Sequence, residues 1–186
     1  MYRAVALLCI RRGIPLEDSA AVSAAASSCK IEFNSGAILL DGEDVSAPIR
    51  TPGAGEAASI VSAVPAVRAA MVSLQRCFAS GRPVVAEGRD MGTVVFPQAR
   101  LKVFVIADFA VRVVRRLREL AKAGERSSFD DVASAMLRRD RRDRERLDSP
   151  LRPCPESLWL DTTLMSVDEQ VEHAAAMYSA LRGVAS

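Results

Sequence analysis

Glu87-Gly88-Arg89-Asp90-Met91-Gly92-Thr93-Val94-Val95-Phe96-Pro97 directly follows the short apolar run Pro83-Val84-Val85-Ala86. An apolar run of this length, closed by glycine and charge, reads as a buried strand ending in a turn. Two further runs have the same character, Leu101 to Ala107 and Leu158 to Leu160, and helical patterns separate them. Three buried-type strands alternating with helices predict an α/β domain with a parallel sheet, whose ligands gather at the carboxyl ends of the strands. The 87–97 segment falls at such an end. Gly88 and Gly92 would allow close backbone approach there, and Arg89 can grip a phosphate through its forked donors. A tight turn carrying an Arg–Asp surface pair would spell the same residues.

Upstream, Tyr2 to about Arg12 reads as a helix with Val5, Leu8 and Cys9 on one stripe, stopped by Gly13 and Pro15. A second helix spans about Glu17 to Ala26. Lys30 to Phe33 and Ala37 to Leu40, joined through Asn34-Ser35-Gly36, carry a β-hairpin signature, and Asp41-Gly42 marks the next turn. From Glu56 to Ala79 the chain is rich in alanine and valine, with Pro65 as the junction of two helical pieces.

Downstream, Ala110 to Ala123 places Val113, Leu117 and Leu120 on one stripe and Arg112, Arg115, Arg116 and Glu119 on another. Ser128 with Asp131 predicts a capped start for a helix packing through Phe129, Val132 and Met136 and continuing to Arg146. Ser166 with Glu169 spells a capping box for the last helix. Its stripe Val167, Val171, Ala174, Tyr178 and Leu181 is expected to be core.

The 186 residues are 49% apolar and 26% charged, with a formal net charge of +2, so one substantial core is expected and a disordered chain is excluded. Near-cancelling charge argues against general affinity for nucleic acid or membrane. Cys9, Cys29, Cys77 and Cys154 are scattered without metal-ligand spacing, and there is no signal peptide or long apolar span, so a reducing cytoplasm is expected. His173 has no ligand-type neighbour and is read as a surface or packing residue. No metal-ligating residue is assigned.

Two cationic constellations bear on function. Arg139, Asp143 and Arg146 fall at i, i+4 and i+7 and are expected to share a helix face that accepts anions and hydroxyls. The Arg112, Arg115, Arg116 face, followed by the glycine-containing tip Lys122-Ala123-Gly124, suits a lid closing over polyphosphate. Solvated, salt-bridged helices would give both patterns.

Taken in order, the segments match one family in spelling. They are Gly42-Glu43-Asp44-Val45-Ser46 with Ile49-Arg50-Thr51, Ala58-Ser59, Val67-Arg68, Gly88 to Pro97, Arg139-Asp140 with Asp143 and Arg146, and Pro150-Leu151. Over essentially its full length the chain resembles bacterial cytidylate kinase. The resemblance implies an α/β fold of the nucleoside monophosphate kinase and P-loop NTPase type, with an inserted small antiparallel substrate-binding lobe. It implies a core of 1–21 and 81–186, a lid at about 112–128 and a monophosphate-binding insert at 22–80. The implied reaction moves the γ-phosphoryl group of ATP to CMP or dCMP with Mg²⁺, in a monomer. Ser59, Arg68 and Arg146 would contact cytosine, Asp143 and Arg139 the pentose, and Arg3 and Arg89 the α-phosphate, with Asp90 between base and phosphate ends. Arg112, Arg115 and Arg116 match the lid arginines that act in catalysis.

No GxxxxGK[ST] string occurs in these residues, so the family's P-loop and first strand are expected to be missing, with Met1 an internal methionine read as a start. On that expectation the chain is poorly stable and catalytically silent. The competing expectation is a non-catalytic nucleotide- or RNA-binding module using the arginine-rich helix at 138–146, which predicts salt-sensitive binding without base preference.

Overall fold

The computed structural model describes residues 1–34 and 36–183. Contacts divide the chain into two compact units: residues 1–87 with 142–150, and residues 88–141 with 151–186. Residues 1–21 therefore fold within the same unit as 22–80.

In the first unit, α1 (Tyr2–Arg11) buries Ala4, Val5, Ala6, Leu8 and Cys9, which includes the whole expected stripe. α2 (Ser19–Ser28) begins two residues later than its sequence pattern suggests, because the Asp18 carboxylate accepts from the Ala20 and Ala21 amides and fixes the first turn there. The hairpin forms as expected from β1 (Ile31–Asn34) and β2 (Ala37–Leu40), in antiparallel register with Ile31 opposite Leu40. Ser35 of its turn lies outside the described residues. Asp41 and Gly42 both take positive φ, 51° and 88°, which makes the two-residue connection to β3 (Glu43–Asp44) twist with the strands.

α3 (Pro52–Val61) is capped by the Thr51 hydroxyl, which accepts from the Ala54 amide, and α4 (Pro65–Ala79) starts at the proline that the sequence marks as a junction. α1 packs on α3, and the alanines at 54, 57 and 58 supply the small surface that such close approach needs. Val5, Cys9, Val22, Val45, Val61 and Val67 are all fully buried between these helices and the hairpin. Each buried valine contributes about 1.5–3 kcal/mol relative to exposure.

In the second unit, one π-helical turn spans Met91–Val95. β4 (Val103–Ile106) and β5 (Leu158–Asp161) pair in parallel, with Val103 opposite Leu158. α5 (Phe109–Lys122) and α6 (Phe129–Glu145, whose residues from Arg142 on belong to the first unit) pack through Val113, Leu120 and Val132, with Leu117 and Met136 beside them. α7 (Val167–Gly183) closes the order. No single helix among the described residues is long and apolar enough to cross a membrane.

Several expectations fail here. Pro83 to Ala86 is not a strand: among the described residues it joins neither sheet, and Val85 is fully exposed. Its apolar pattern is that of a strand, but a strand exists only where a neighbour completes its ladder, and Pro83 has no N–H to give. β4 and β5 are not fully buried either, since Val105, Ile106, Leu158 and Trp159 are exposed. In α6 the expected packing residue Phe129 is exposed. The α7 stripe is not core: Val167, Val171 and Tyr178 are exposed, and the more sheltered positions are Gln170, Ala174, Met177 and Leu181. The periodicity is helical, but the sheltered line is rotated from the one with most apolar residues.

Candidate functional site

In the first unit, several charged side chains are buried. Arg68 projects from α4 and is 2% exposed; its guanidinium donates to the Ser62 carbonyl at 3.1 Å, lies 4.0 Å from the Asp148 carboxylate and covers the Tyr2 ring at 5.6 Å. Asp143, buried in the last turn of α6, lies 3.7 Å from Arg146, which stands just beyond the helix and whose Nε donates to the Ser149 carbonyl at 2.7 Å. Ser59 is buried on α3, and its hydroxyl oxygen accepts from Arg142 Nε at 3.1 Å. Arg142 also donates to Glu56, one turn earlier on α3, at 2.9 Å.

Arg3, on α1, donates to the Ile49 carbonyl at 2.8 Å. Gly55 makes room for it, since a Cβ there would stand 3.3 Å from the Arg3 guanidinium. Arg3, Ser59, Arg68, Asp143 and Arg146 thus lie in one unit. Burying two guanidiniums and a carboxylate is costly unless they pair, and here alternating signs do so. Such a surface of fixed donors and an acceptor suits a small polar anion.

The other expected residues belong to the second unit. Asp90 is buried, and its carbonyl accepts from the Val94 and Val95 amides, closing the π-helical turn on it; Arg89 is half-buried beside it. A single π turn of this kind recurs at functional sites. The glycines of this segment answer to their own chain: a Cβ on Gly92 would meet Cys154 Sγ at 2.9 Å and Lys102 at 3.3 Å, and one on Gly88 would meet Met91. Arg139 does not share a buried face with Asp143. It is exposed while Asp140 and Asp143 turn inward, so the true inward spacing is i and i+3.

The α5 arginines differ from one another. Arg112 is held in a two-pronged pair by the Asp140 carboxylate at 2.8 and 3.0 Å. Arg115 donates to the Thr162 hydroxyl and carbonyl and to the Met165 carbonyl, tying the end of β5 to α5. Arg116 pairs with Glu119 at 3.0 Å on the surface. No group of histidine, cysteine and carboxylate able to hold a metal occurs among the described residues, and His173 is exposed.

The sequence profile described as cytidylate kinase matches residues 1–180. A cytidylate kinase of Vibrio vulnificus (strain CMCP6) is 43% identical over 178 residues, covering 94% of this chain and 79% of that protein. One from Paraburkholderia phymatum is 40% identical over 181 residues, covering 97% and 79%. One from Chromobacterium violaceum is 42% identical over 172 residues, covering 92% and 78%.

The chain belongs to the cytidylate kinase family. Cytidylate kinases are nucleoside monophosphate kinases with a P-loop NTPase type of α/β fold, and among the described residues the sheets of this chain are the parallel pair β4–β5 and the antiparallel β1–β2–β3. Sequence reasoning missed Glu56, Asp140, Arg142 and Asp148 as partners within the charged clusters. The Glu56/Ser59 spacing on one turn of α3 was the available signal for the first of these; nothing local marked Arg142.

Proposed function

We propose that this cytidylate kinase family member transfers the γ-phosphoryl group of ATP to CMP or dCMP, giving CDP or dCDP. The observation that supports this reading most is the buried Ser59, Arg68, Asp143 and Arg146 set in the first unit. These residues are far apart in sequence and are the ones the family resemblance names for the nucleotide.

In this reading Arg68, Arg146 and Ser59 meet cytosine. O2 and N3 of that base are acceptors, so donor-only guanidiniums favour it over uracil, whose N3 carries a proton. Asp143 accepts from a pentose hydroxyl; Arg139, which the resemblance also names for the pentose, is exposed on another face of α6 and is given no contact with the sugar in this conformation. The resemblance names Arg3 of the first unit and Arg89 of the second for the α-phosphate, and Asp90 for a place between phosphate and base. Arg3 is already aimed, because the Ile49 carbonyl and the space above Gly55 hold its guanidinium. A phosphate oxygen of the acceptor attacks the γ-phosphorus of ATP in line, the bond from that phosphorus to the β,γ-bridging oxygen breaks, ADP leaves, and no protein nucleophile is needed.

ATP would bring the phosphoryl group together with Mg²⁺, which would neutralise charge on its oxygens; no residue of this chain is assigned to hold the ion. In this conformation Arg112 and Arg115 do not fit a polyphosphate, being engaged by Asp140 and by Thr162 and Met165. No step is therefore assigned to them before those contacts open. We further read 22–80 as the acceptor-binding insert and 1–21 with 81–186 as the phosphoryl-transfer core with a lid at about 112–128, a functional division that differs from the packing units, in which 1–21 and 142–150 go with 22–80; the enzyme is read as a cytoplasmic monomer. An RNA-binding role finds less support, since Arg142 is engaged by Ser59 and Glu56 and Arg146 by Ser149 and Asp143.

Calorimetric titration of the purified chain with CMP, dCMP, UMP and AMP, alongside ATP-dependent diphosphate formation, tests the reading. Cytosine nucleotides should bind at least about tenfold tighter than the others. Equal affinity for all four would overturn it.

A further inference from the structure

Arg142 is absent from the residues that the family resemblance assigns, yet it makes the only polar contact to the Ser59 side chain among the described residues. Its guanidinium bridges two positions one turn apart on α3: Nε donates to the Ser59 oxygen at 3.1 Å and an Nη donates to Glu56 at 2.9 Å. The Glu56 carboxylate fixes the far end of the fork, so the arginine is oriented by charge as well as by the hydroxyl.

A guanidinium can only donate. The Ser59 oxygen must therefore face Arg142 with a lone pair, and the hydroxyl proton must point away from it. Among the described residues that proton meets no acceptor, although Ser59 is only 6% exposed. A buried hydroxyl with its lone pair engaged and its proton available is a donor in waiting.

We propose that Arg142 is a positioning residue of the nucleotide site: held by Glu56, it sets the polarity of the Ser59 hydroxyl so that Ser59 meets the bound nucleotide as a hydrogen-bond donor. This rests on the reading of Ser59 as a nucleotide contact. It makes Glu56, Arg142 and Ser59 one functional unit, in which the first two act only through the third. Without Arg142 the hydroxyl is free to rotate and to present a lone pair instead, which repels an acceptor on the ligand.

A double-mutant cycle on CMP affinity, measured by calorimetry with the full chain, tests the proposal. Arg142→Met keeps the apolar stem and removes both donors; it should weaken CMP binding about fivefold, with Glu56→Gln changing it in the same direction. Ser59→Ala should weaken binding about tenfold, and the Ser59→Ala/Arg142→Met double variant should bind as Ser59→Ala does. A merely structural role for Arg142 would instead lower affinity by the same factor in both backgrounds, and that additivity would overturn the proposal while leaving Ser59 as a contact. If Ser59→Ala binds CMP like the parent chain, the nucleotide reading of Ser59 itself fails, and the proposal fails with it.

Discussion

At the residue scale, the informative feature is a guanidinium where one does not belong on grounds of solvation. Arg68 is 2% exposed, and a charge so placed is tolerable only with partners: the Ser62 carbonyl, Asp148 and the Tyr2 ring. Arg68→Ala removes the charge and opens a void at once, and is expected to destabilise the protein by about 2–4 kcal/mol in urea denaturation. Arg68→Met fills the volume without the charge and should recover most of that loss, because an apolar isostere of a buried ion is often neutral. Both variants should lose the preference for CMP over UMP, which separates the packing role from the recognition role. Burial of this kind was not legible from Val67-Arg68 as a dipeptide; the family spelling marked the residue, and its neighbours in space, Tyr2 and Asp148, come from both ends of the unit.

Elements whose ends are set by local chemistry were legible, and those set by distant partners were not. The Ser128/Asp131 and Ser166/Glu169 patterns form the expected caps, with the Ser128 hydroxyl accepting from the Asp131 amide at 3.1 Å and Glu169 accepting from the Ser166 amide at 2.7 Å. The Asp41-Gly42 turn and the Pro65 helix start follow from backbone preferences that need no third party. The strand reading of Pro83 to Ala86 needed a neighbouring ladder and failed without one.

The α7 cap also carries a pH dependence. The Ser166 backbone N–H first, then its hydroxyl, hold the Glu169 carboxyl below the ordinary glutamate range. A group depressed in this way stabilises the helix start fully above the unfolded pKa of about 4.3, and loses that contribution as pH falls through the lower folded value. Acidification should therefore fray the first turn of α7, seen as faster amide exchange at its first residues. In Glu169→Gln that acid step should vanish; an unchanged acid step would reject the assignment.

For the whole molecule, the α/β class, the hairpin-bearing segment and the family were legible, because each depends on periodicity or spelling. The sheet was not: three runs of similar composition gave two strands, and the apolar line of α7 faces outward. The uncovered residues of the second unit, Val105, Leu158, Trp159, Val167, Val171 and Tyr178 with Leu164, amount to more oily surface than isolated exposed residues usually present. In solution such a molecule should light up an environment-sensitive dye such as ANS while still fully native, and sulfate should salt it out early, because excluded kosmotropes magnify the penalty of leaving hydrocarbon in water. Native protein that leaves the dye dark would mean that this surface is covered.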